Sequence, residues 1–405
     1  MQFDFGVTRS PSRIIFGAGQ RNALGALAAT LGRRVLLCTD ARLGSDRTLV
    51  EMRADLLRNG LAVEVFADTE AELPLAGIEA CVGAYRSFSP EIVVGVGGGS
   101  CLDMAKLVSL LLTHDAPIST FYGEFKVPGP ILPIVAVPTT AGTGSEVTPV
   151  AVLADPSQEM KIGISSPELI PHTAICDPEL TLTCPPSLTA ISGADALAHA
   201  IEAFAAVRRE VSPDIALQRV FVGKNALSDQ YALTAIRLLC KWLPAAVSNG
   251  EDLEARSAVM LAATLAGLAF GSAGTAAAHA LQYPVGAKTH TAHGLGVGIL
   301  LPYTMEFNLT VSAATYSEIA AFVGLHGASD DVEGARAFIR LVRQVFAAIG
   351  IPESLAAIGF ESKDIDWASE RALRARRLIE NNPRQIDLPG AAAILRSALY
   401  GNHNN

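Results

Sequence analysis

Residues 92–106 read IVVGVGGGSCLDMAK, and they indicate how the N-terminal half of the chain is built. An apolar run that suits a buried strand leads into three glycines, and a helix-like segment follows them. Glycines let a backbone approach a phosphate closely, and the first turn of a helix offers free N–H groups and the positive end of the helix dipole. The stretch therefore predicts a strand, a tight turn and a helix that can hold a pyrophosphate.

The glycine loop matches neither of two common nucleotide-binding motifs. The Rossmann fingerprint needs a glycine at the position of Ser100. The Walker loop needs a lysine followed by Ser or Thr directly after the glycines, whereas Lys106 lies seven residues past Gly99. When this loop is taken alone, a plain strand-to-helix turn stays open as the alternative.

Two further features favour a dinucleotide site. Residues 139–148, TTAGTGSEVT, follow another apolar strand and are rich in hydroxyl groups and glycine. Asp40 ends a third strand-like run, where a carboxylate can accept hydrogen bonds from both ribose hydroxyls and repel a 2′-phosphate. A polar surface loop and an Asp turn or N-cap are the respective alternatives. Ligands of parallel α/β sheets bind at the carboxyl ends of the strands, so the combination predicts such a site.

The pattern of elements changes near residue 182. Before it, apolar runs alternate with helix-like segments, which predicts a mostly parallel sheet, with strands at 34–39, 62–66, 92–96 and 131–137. After it, the spacing of apolar residues predicts helices at 187–206, 228–248, 252–270, 273–283, 312–325, 333–349 and 387–400. We expect an α/β dinucleotide-binding domain with a Rossmann-like parallel sheet over residues 1–182, an all-α domain over residues 183–405, and a site between them.

The composition excludes several classes of protein. Among the 405 residues, 50% are hydrophobic and 18% are charged, which excludes a disordered chain. A net charge of −9 without any basic block argues against nucleic acid as a partner. The six cysteines are scattered without CxxC spacing, which favours a reduced cytoplasmic location and argues against a thiolate metal site.

One uncharged stretch is long enough to cross a membrane. Residues 257–287 contain no Asp, Glu, Lys or Arg. The stretch is built from Ala and Gly more than Leu, and it carries His279. We therefore expect close-packed helices in a protein core and no membrane partner.

Four side chains suggest a metal site. Asp195 and His199 lie four residues apart, so a helix places both on one face, where they can share a cation or form a salt bridge. His279 lies in the uncharged stretch, where an imidazole without a partner would be costly, and His293 follows fourteen residues later. His290 competes with His293 for this last position. One carboxylate and three imidazoles suit Fe(II), Zn, Co or Mn.

Together these segments resemble the iron-containing, or group III, alcohol dehydrogenase family over nearly the whole chain. The resemblance rests on the order and spacing of the stretches 97–106, 139–148, 193–204 and 266–294. It implies a dehydroquinate synthase-like fold, NAD, and a divalent metal, Fe(II) first, held by Asp195, His199, His279 and His293. It also implies cofactor contacts at Asp40, Gly97, Gly98, Gly99, Ser100, Asp103, Thr139, Thr140, Thr143, Ser145 and Lys161, with Asp40 favouring NAD over NADP.

The chain departs from the commoner family pattern in three places. Tyr283 stands where many members carry a second histidine, and as an active-site residue we expect it to shape the pocket or donate a hydrogen bond rather than act as a free base. Residues 206–227 exceed the usual connection, and Leu73-Pro74 replaces an Asn-Pro. The insertion and the Tyr-Pro pair resemble the hydroxyacid–oxoacid transhydrogenase branch. Arg208 and Arg209 are then candidate carboxylate partners, or part of a solvated surface.

These features predict a metal-dependent oxidoreductase that transfers a hydride between NAD(H) and a small alcohol or aldehyde. We expect a homo-oligomer, specifically a dimer. Two alternatives stay open. One is a hydroxyacid–oxoacid transhydrogenase or hydroxy-acid dehydrogenase on the same fold, and the other is a non-catalytic protein that binds NAD or metal.

Overall fold

The structure, a computed structural model, describes residues 5–157 and 161–401. These residues form two compact units. The first, here called the sheet unit, comprises residues 9–157, 161–183 and 217–220. The second, here called the helical unit, comprises residues 5–8, 184–216 and 221–401.

The sheet unit is built on parallel strands. Its described strands are β1 (Arg13–Phe16), β2 (Arg34–Cys38), β3 (Ala62–Phe66), β4 (Ile92–Gly97), β5 (Gly123–Glu124), β6 (Ile134–Pro138), β7 (Val150–Leu153), β8 (Ile162–Ser165) and β9 (Thr173–Cys176). Six of them form a parallel sheet in the order β1-β9-β6-β4-β2-β3, as the alternating pattern predicts. A small mixed sheet, β5-β8-β7, has strands of two to four residues, which are too short for a periodic pattern to reveal.

Helices cover the parallel sheet. They are α1 (Leu24–Ala28), α2 (Ala41–Gly44), α3 (Arg47–Arg58), α4 (Leu75–Tyr85) and α5 (Gly99–Thr113). The side chains of successive strand residues belong to two different apolar clusters. Leu36 and Val93 are in one cluster, and Val35, Leu37 and Val94 are in the other. Both faces of the sheet are therefore buried, which explains why its strands are continuous apolar runs rather than alternating ones.

The chain beyond residue 184 is helical in its described part. Its helices are α6 (Pro186–Ala205), α7 (Ile215–Gln218), α8 (Ala226–Ser248), α9 (Leu253–Ala273), α10 (Ala277–Thr289), α11 (His293–Phe322), α12 (Asp331–Ala348), α13 (Ile365–Ala372), α14 (Arg376–Asn381) and α15 (Leu388–Tyr400). An α/β region followed by an all-α region confirms the predicted fold class.

Two predicted helix bounds are wrong. The pattern predicts a helix over 273–283, but α10 begins four residues later and continues through Pro284. It also predicts a helix over 312–325, whereas residues 312–322 are the end of the 30-residue helix α11, which contains Pro302. Tertiary packing holds both helices past prolines that a local pattern interprets as helix breakers.

Helix α9 is the apolar helix of the predicted core. By length and composition it could cross a membrane, but 67% of its most apolar window is buried inside the protein. It packs against α6 and α8, and its Ala and Gly residues allow the close approach of these helices.

Candidate metal centre and cofactor-binding loops

The two polar loops of the sheet unit lie side by side. Strands β4 and β6 are neighbours, and Gly97 pairs with Pro138 at their carboxyl ends. The N–H of Thr139 donates a hydrogen bond to the carbonyl of Gly97 at 2.9 Å. The glycine loop and residues 139–148 therefore leave the sheet at one edge, which is the position the sequence predicts.

Glycine is required in the first loop because the loop is tightly packed. Gly97 has φ +148, and a Cβ atom there would lie 2.5 Å from Sγ of Cys101. A Cβ on Gly99 would lie 2.7 Å from Cγ2 of Thr143 in the second loop. A side chain on Gly97 would clash with the first turn of α5, and a side chain on Gly99 would push the two loops apart. Ser100 follows in the first turn of α5.

Helix α5 holds the second loop and the strand after it through Asp103 and Lys106. Asp103 accepts hydrogen bonds from Oγ of Ser145 at 2.6 Å and from the N–H of Val152 at 2.9 Å. Nζ of Lys106, which is fully buried, donates to the carbonyls of Thr148 at 3.0 Å and of Val150 at 2.7 Å. Burial raises the pKa of Asp103 and lowers the pKa of Lys106 to about 8. Nothing in the local sequence pattern indicates this role of Lys106.

Asp40 and Lys161 each have a partner within the sheet unit. Oδ1 of Asp40 caps helix α2 by accepting the N–H of Leu43 at 2.8 Å, and its Oδ2 lies 3.9 Å from Sγ of Cys101. Asp40 therefore lies beside the glycine loop while also serving as an N-cap. Lys161 forms an ion pair with Glu72. Whether these two residues, Thr140 and the other loop residues contact a cofactor stays a prediction.

The structure brings the predicted metal ligands together in the helical unit. Asp195 and His199 come from α6 and His279 from α10, all three are buried, and one ligand atom from each lies within 4.8 Å of the others. Nε2 of His279 lies 3.5 Å from Oδ1 of Asp195, and Nε2 of His199 lies 3.8 Å from it. His293, the first residue of α11, places its Nε2 3.8 Å from the same oxygen. His290 is exposed at the end of α10, so the geometry favours His293.

The donor atoms suit a divalent metal. Oδ1 of Asp195 and Nε2 of His279 are buried and have no hydrogen-bond partner among the described residues. Burying such polar atoms is costly unless something pairs with them. A metal ion held by one carboxylate and three imidazoles would satisfy both atoms, and such ligands fit Fe(II) or Zn. The side chain of His293 is 30% exposed, so the group is open on that side.

Opposite charges shift the pKa values within this group. Burial alone would lower the pKa of His279, but the carboxylates of Glu202 and Asp195 raise it to about 9. Burial alone would raise the pKa of Asp195, but the nearby histidines, His199 foremost, hold it well below its usual range. The ring of Phe270 stacks on His199 with ring centroids 4.2 Å apart.

Glu202 is a site residue that sequence reasoning missed. Its carboxylate accepts hydrogen bonds from the N–H groups of Ala276 at 2.8 Å and Ala278 at 2.7 Å, and from Nδ1 of His279 at 2.6 Å. The available signal was its position on α6, three residues after His199 and thus on the same helix face. The contact with Nδ1 leaves Nε2 of His279 directed at Asp195.

Tyr283 lies beside His293, the fourth predicted ligand. Its ring is stacked with that of His293, with centroids 6.2 Å apart and an interplanar angle of 28°. Burial raises the pKa of Tyr283, and the positive charge of Arg377 opposes that rise. The ring position agrees with the i+4 step from His279, while the role of the phenol in catalysis stays a prediction.

Two family models match the chain. "Iron-containing alcohol dehydrogenase" matches residues 11–178, and "Fe-containing alcohol dehydrogenase family, C-terminal" matches residues 189–399. Together they span most of the chain.

Curated relatives match nearly the whole length. Long-chain-alcohol dehydrogenase 1 of Geobacillus thermodenitrificans is 34% identical, covering 97% of this chain and 98% of the relative. NAD-dependent methanol dehydrogenase of Bacillus methanolicus is 31% identical, covering 96% and 98%. The mitochondrial hydroxyacid-oxoacid transhydrogenase of Mus musculus is 29% identical, covering 98% and 90%.

Solved structures agree with these matches. A 1,3-propanediol oxidoreductase has a TM-score of 0.90 at 31% identity, covering 98% of this chain and 100% of the other. A sulfoacetaldehyde reductase from Bifidobacterium kashiwanohense in complex with NAD⁺ has a TM-score of 0.82 at 28% identity, covering 98% and 99%. The chain therefore belongs to the iron-containing alcohol dehydrogenase family, and it is a metal-dependent oxidoreductase that uses NAD.

Proposed function

We propose that the protein oxidises small alcohols with NAD or reduces the corresponding aldehydes with NADH. The observation that carries this proposal is the pair of buried atoms without partners, Oδ1 of Asp195 and Nε2 of His279, in a group of one carboxylate and three imidazoles. A divalent metal, Fe(II) first, would polarise the substrate oxygen there, and NAD would exchange the hydride.

The chain's own residues have three tasks in this proposal. Asp195, His199, His279 and His293 hold the metal, and Glu202 orients His279 through Nδ1. The stacked ring of Phe270 covers His199 and keeps water from that face. Tyr283, next to the partly exposed His293, shapes the pocket or donates a hydrogen bond to the substrate.

Cofactor binding is assigned to the two loops of the sheet unit. The N–H groups of residues 97–100 at the start of α5 bind the pyrophosphate, as helix N-termini do. The hydroxyls of Thr139, Thr140 and Thr143 bind other polar groups of NAD, and Asp40 and Lys161 bind its ribose. In this proposal residues 1–182 form the NAD-binding domain and residues 183–405 the metal-binding domain.

The proposed cellular location rests on the composition of the chain. We propose a homodimer in the cytoplasm, where the six cysteines, which form no disulfide in the described part of the chain, would stay reduced. Its partners in this proposal are small alcohols and aldehydes. Relatives named as methanol, long-chain-alcohol and propanediol enzymes support such substrates.

One experiment tests the proposed function. Purified full-length protein is analysed for bound metal and then screened for NAD reduction with small alcohols and hydroxy acids. We expect about one divalent metal per chain and turnover of at least one alcohol. Stoichiometric NAD binding without turnover of any compound would overturn the proposal in favour of a non-catalytic binding protein.

A further inference from the structure

A short turn, residues 274–276, joins α9 to α10 and lies just before the predicted metal ligand His279. Gly274 has φ +84, and its N–H donates to the carbonyl of Phe270 at 2.7 Å. Ala276, the N-cap residue of α10, offers no side-chain hydrogen bond to the helix. The last carbonyls of one helix and the first N–H groups of the next lack partners within their own helices. At this turn the partners must therefore come from elsewhere in the chain.

Asn381, the last residue of α14, is the partner of two carbonyls. Its Nδ2 donates to the carbonyl of Ala273, at the end of α9, at 3.0 Å and to the carbonyl of Thr275, in the turn, at 3.2 Å. The side chain is buried, with 2% exposed. These contacts join residues 108 and 106 positions apart, and α14 packs against α10. Asn381 therefore holds the turn from the side of α14.

Glu202 holds the same turn from the side of α6. Its carboxylate accepts the N–H groups of Ala276 at 2.8 Å and Ala278 at 2.7 Å. The same carboxylate accepts Nδ1 of His279 at 2.6 Å. The start of α10 is thus fixed between an amide of α14, which binds carbonyls, and a carboxylate of α6, which binds N–H groups.

The amide of Asn381 pairs only in part, unlike that of its neighbour Asn382. Oδ1 of Asn381 is buried and has no hydrogen-bond partner among the described residues. Burying an oxygen without a partner costs free energy. By contrast, Asn382 exchanges two hydrogen bonds with Asn308, at 2.9 and 2.7 Å. Asn381 therefore loses stability at one atom while its other atom fixes the turn, which favours a role in positioning over a role in stability alone.

We propose that Asn381 is a positioning residue for the metal ligand His279. The ligands Asp195 and His199 lie on α6, whereas His279 lies on α10, with its Nε2 3.5 Å from Oδ1 of Asp195. The place where α10 begins therefore sets the distance between the two groups of ligands. Metal ligands must be held within about 0.5 Å of the binding geometry. Without Asn381 the turn is held on one side only, and the metal affinity falls. The inference rests on the metal site of the proposed function.

Metal binding by the full-length protein tests this role. Competition with a chelator measures the affinity for Zn(II), and the absorption spectrum of the Co(II)-loaded protein reports the ligand geometry. Asn381→Ala should lower the affinity about tenfold, as loss of an outer contact of a metal site does, and should change the Co(II) spectrum. Asn381→Ser keeps a hydrogen-bond donor, is the milder change if Asn381→Ala does not fold, and should give a smaller loss. Wild-type affinity and spectrum in the folded variants would overturn the inference.

The adjacent Asn382 supplies the matched control. It is also buried, and its side chain bonds to Asn308 and to the carbonyl of Arg384 rather than to the turn before α10. Asn382→Ala should lower the free energy of unfolding in urea, because it leaves Asn308 unpaired, but it should bind metal like the wild type. Equal losses of metal affinity in Asn381→Ala and Asn382→Ala would show a general effect of loosening the end of α14 and overturn the inference.

Hydrogen exchange of the metal-free protein separates this inference from the proposed function. Mass spectrometry follows the peptide that contains the N–H groups of Ala276 and Ala278, which Glu202 binds. Exchange there should be about tenfold faster in Asn381→Ser than in the wild type, because local opening of the turn becomes easier, and unchanged in Asn382→Ala. Equal exchange in Asn381→Ser and the wild type would overturn the role of Asn381 alone. Absence of bound metal in the wild type would overturn the proposed function, and exchange would still decide whether Asn381 positions the start of α10.

Discussion

Nδ1 of His279 donates a hydrogen bond to the carboxylate of Glu202 at 2.6 Å, and this bond leaves Nε2 to face Asp195 at 3.5 Å. The same carboxylate accepts the N–H groups of Ala276 and Ala278 at the start of α10. One side chain of α6 therefore fixes the start of α10 and leaves Nε2 as the nitrogen of His279 that is available to a metal.

Glu202→Gln should weaken metal binding about 10- to 100-fold, because carboxylate partners of metal-binding histidines typically contribute that much. The affinity is measured by competition with a chelator. Glu306→Gln, which removes the carboxylate that pairs with Arg343 in α12, is the control and should bind metal like the wild type. Equal affinities in all three proteins would contradict an orienting role for Glu202.

Asp195→Ala and His279→Ala should each lose the bound metal and the activity. The NAD affinity should stay largely intact, because both residues lie in the helical unit and the glycine loop lies in the sheet unit. Elemental analysis and NADH fluorescence measure the two properties. Full metal stoichiometry in both variants would show that the metal is held elsewhere.

The unmodified protein should prefer NAD over NADP, because Asp40 would repel the added phosphate. Asp40→Gly and Asp40→Asn should both relax the preference by removing a repulsion on the order of 1–3 kcal/mol. Asn can keep the N-cap of α2 on the N–H of Leu43, so only the Gly variant should also lose the cap. Kinetics with both cofactors check this, and equal use of NAD and NADP by the wild type would show that Asp40 does not face the ribose.

Tyr283→Phe should keep metal and NAD but change the substrate KM or preference, with kcat falling less than about tenfold. A general acid usually contributes 10²–10⁴-fold. Burial raises the pKa of Tyr283, so the phenol keeps its proton near neutral pH and remains a hydrogen-bond donor. The measurement is kcat across pH for both forms. A loss of about a hundredfold or more would make Tyr283 a catalytic acid or base.

Lys106 should make stability depend on pH in the alkaline range. Burial lowers its pKa to about 8 in the folded chain, against 10.5 for an ordinary lysine. Between these values the unfolded chain binds the additional proton, so the stability of the folded chain rises with pH. Relative to Lys106→Met, the free energy of unfolding of the wild type should rise by ~2 kcal/mol from pH 8 to 10.

Urea unfolding at several pH values measures that difference. Lys126→Met, at an exposed position of the sheet unit, is the control and should show no such trend. A constant difference between wild type and Lys106→Met would mean that the amine does not lose its proton in this range.

Local features could be predicted from the sequence. The apolar run at 92–96, the glycines after it and the loop at 139–148 predict strand ends at one edge of a parallel sheet, and the pairing of Gly97 with Pro138 places them there. The four-residue step from Asp195 to His199 likewise places both on one face of α6. Such predictions succeed because periodicity and backbone freedom act over a few residues.

The sequence by itself determined the order of the elements, the loops that need glycine and the family of the protein. Only the tertiary structure decided which distant side chains meet: Glu202 with His279 across 77 residues, Lys106 with the carbonyls of Thr148 and Val150, and Arg377 with Phe221. Tertiary packing also keeps α10 helical through Pro284. These outcomes depend on the packing of whole helices against one another, and the free energy of such contacts between distant residues is not contained in any local pattern.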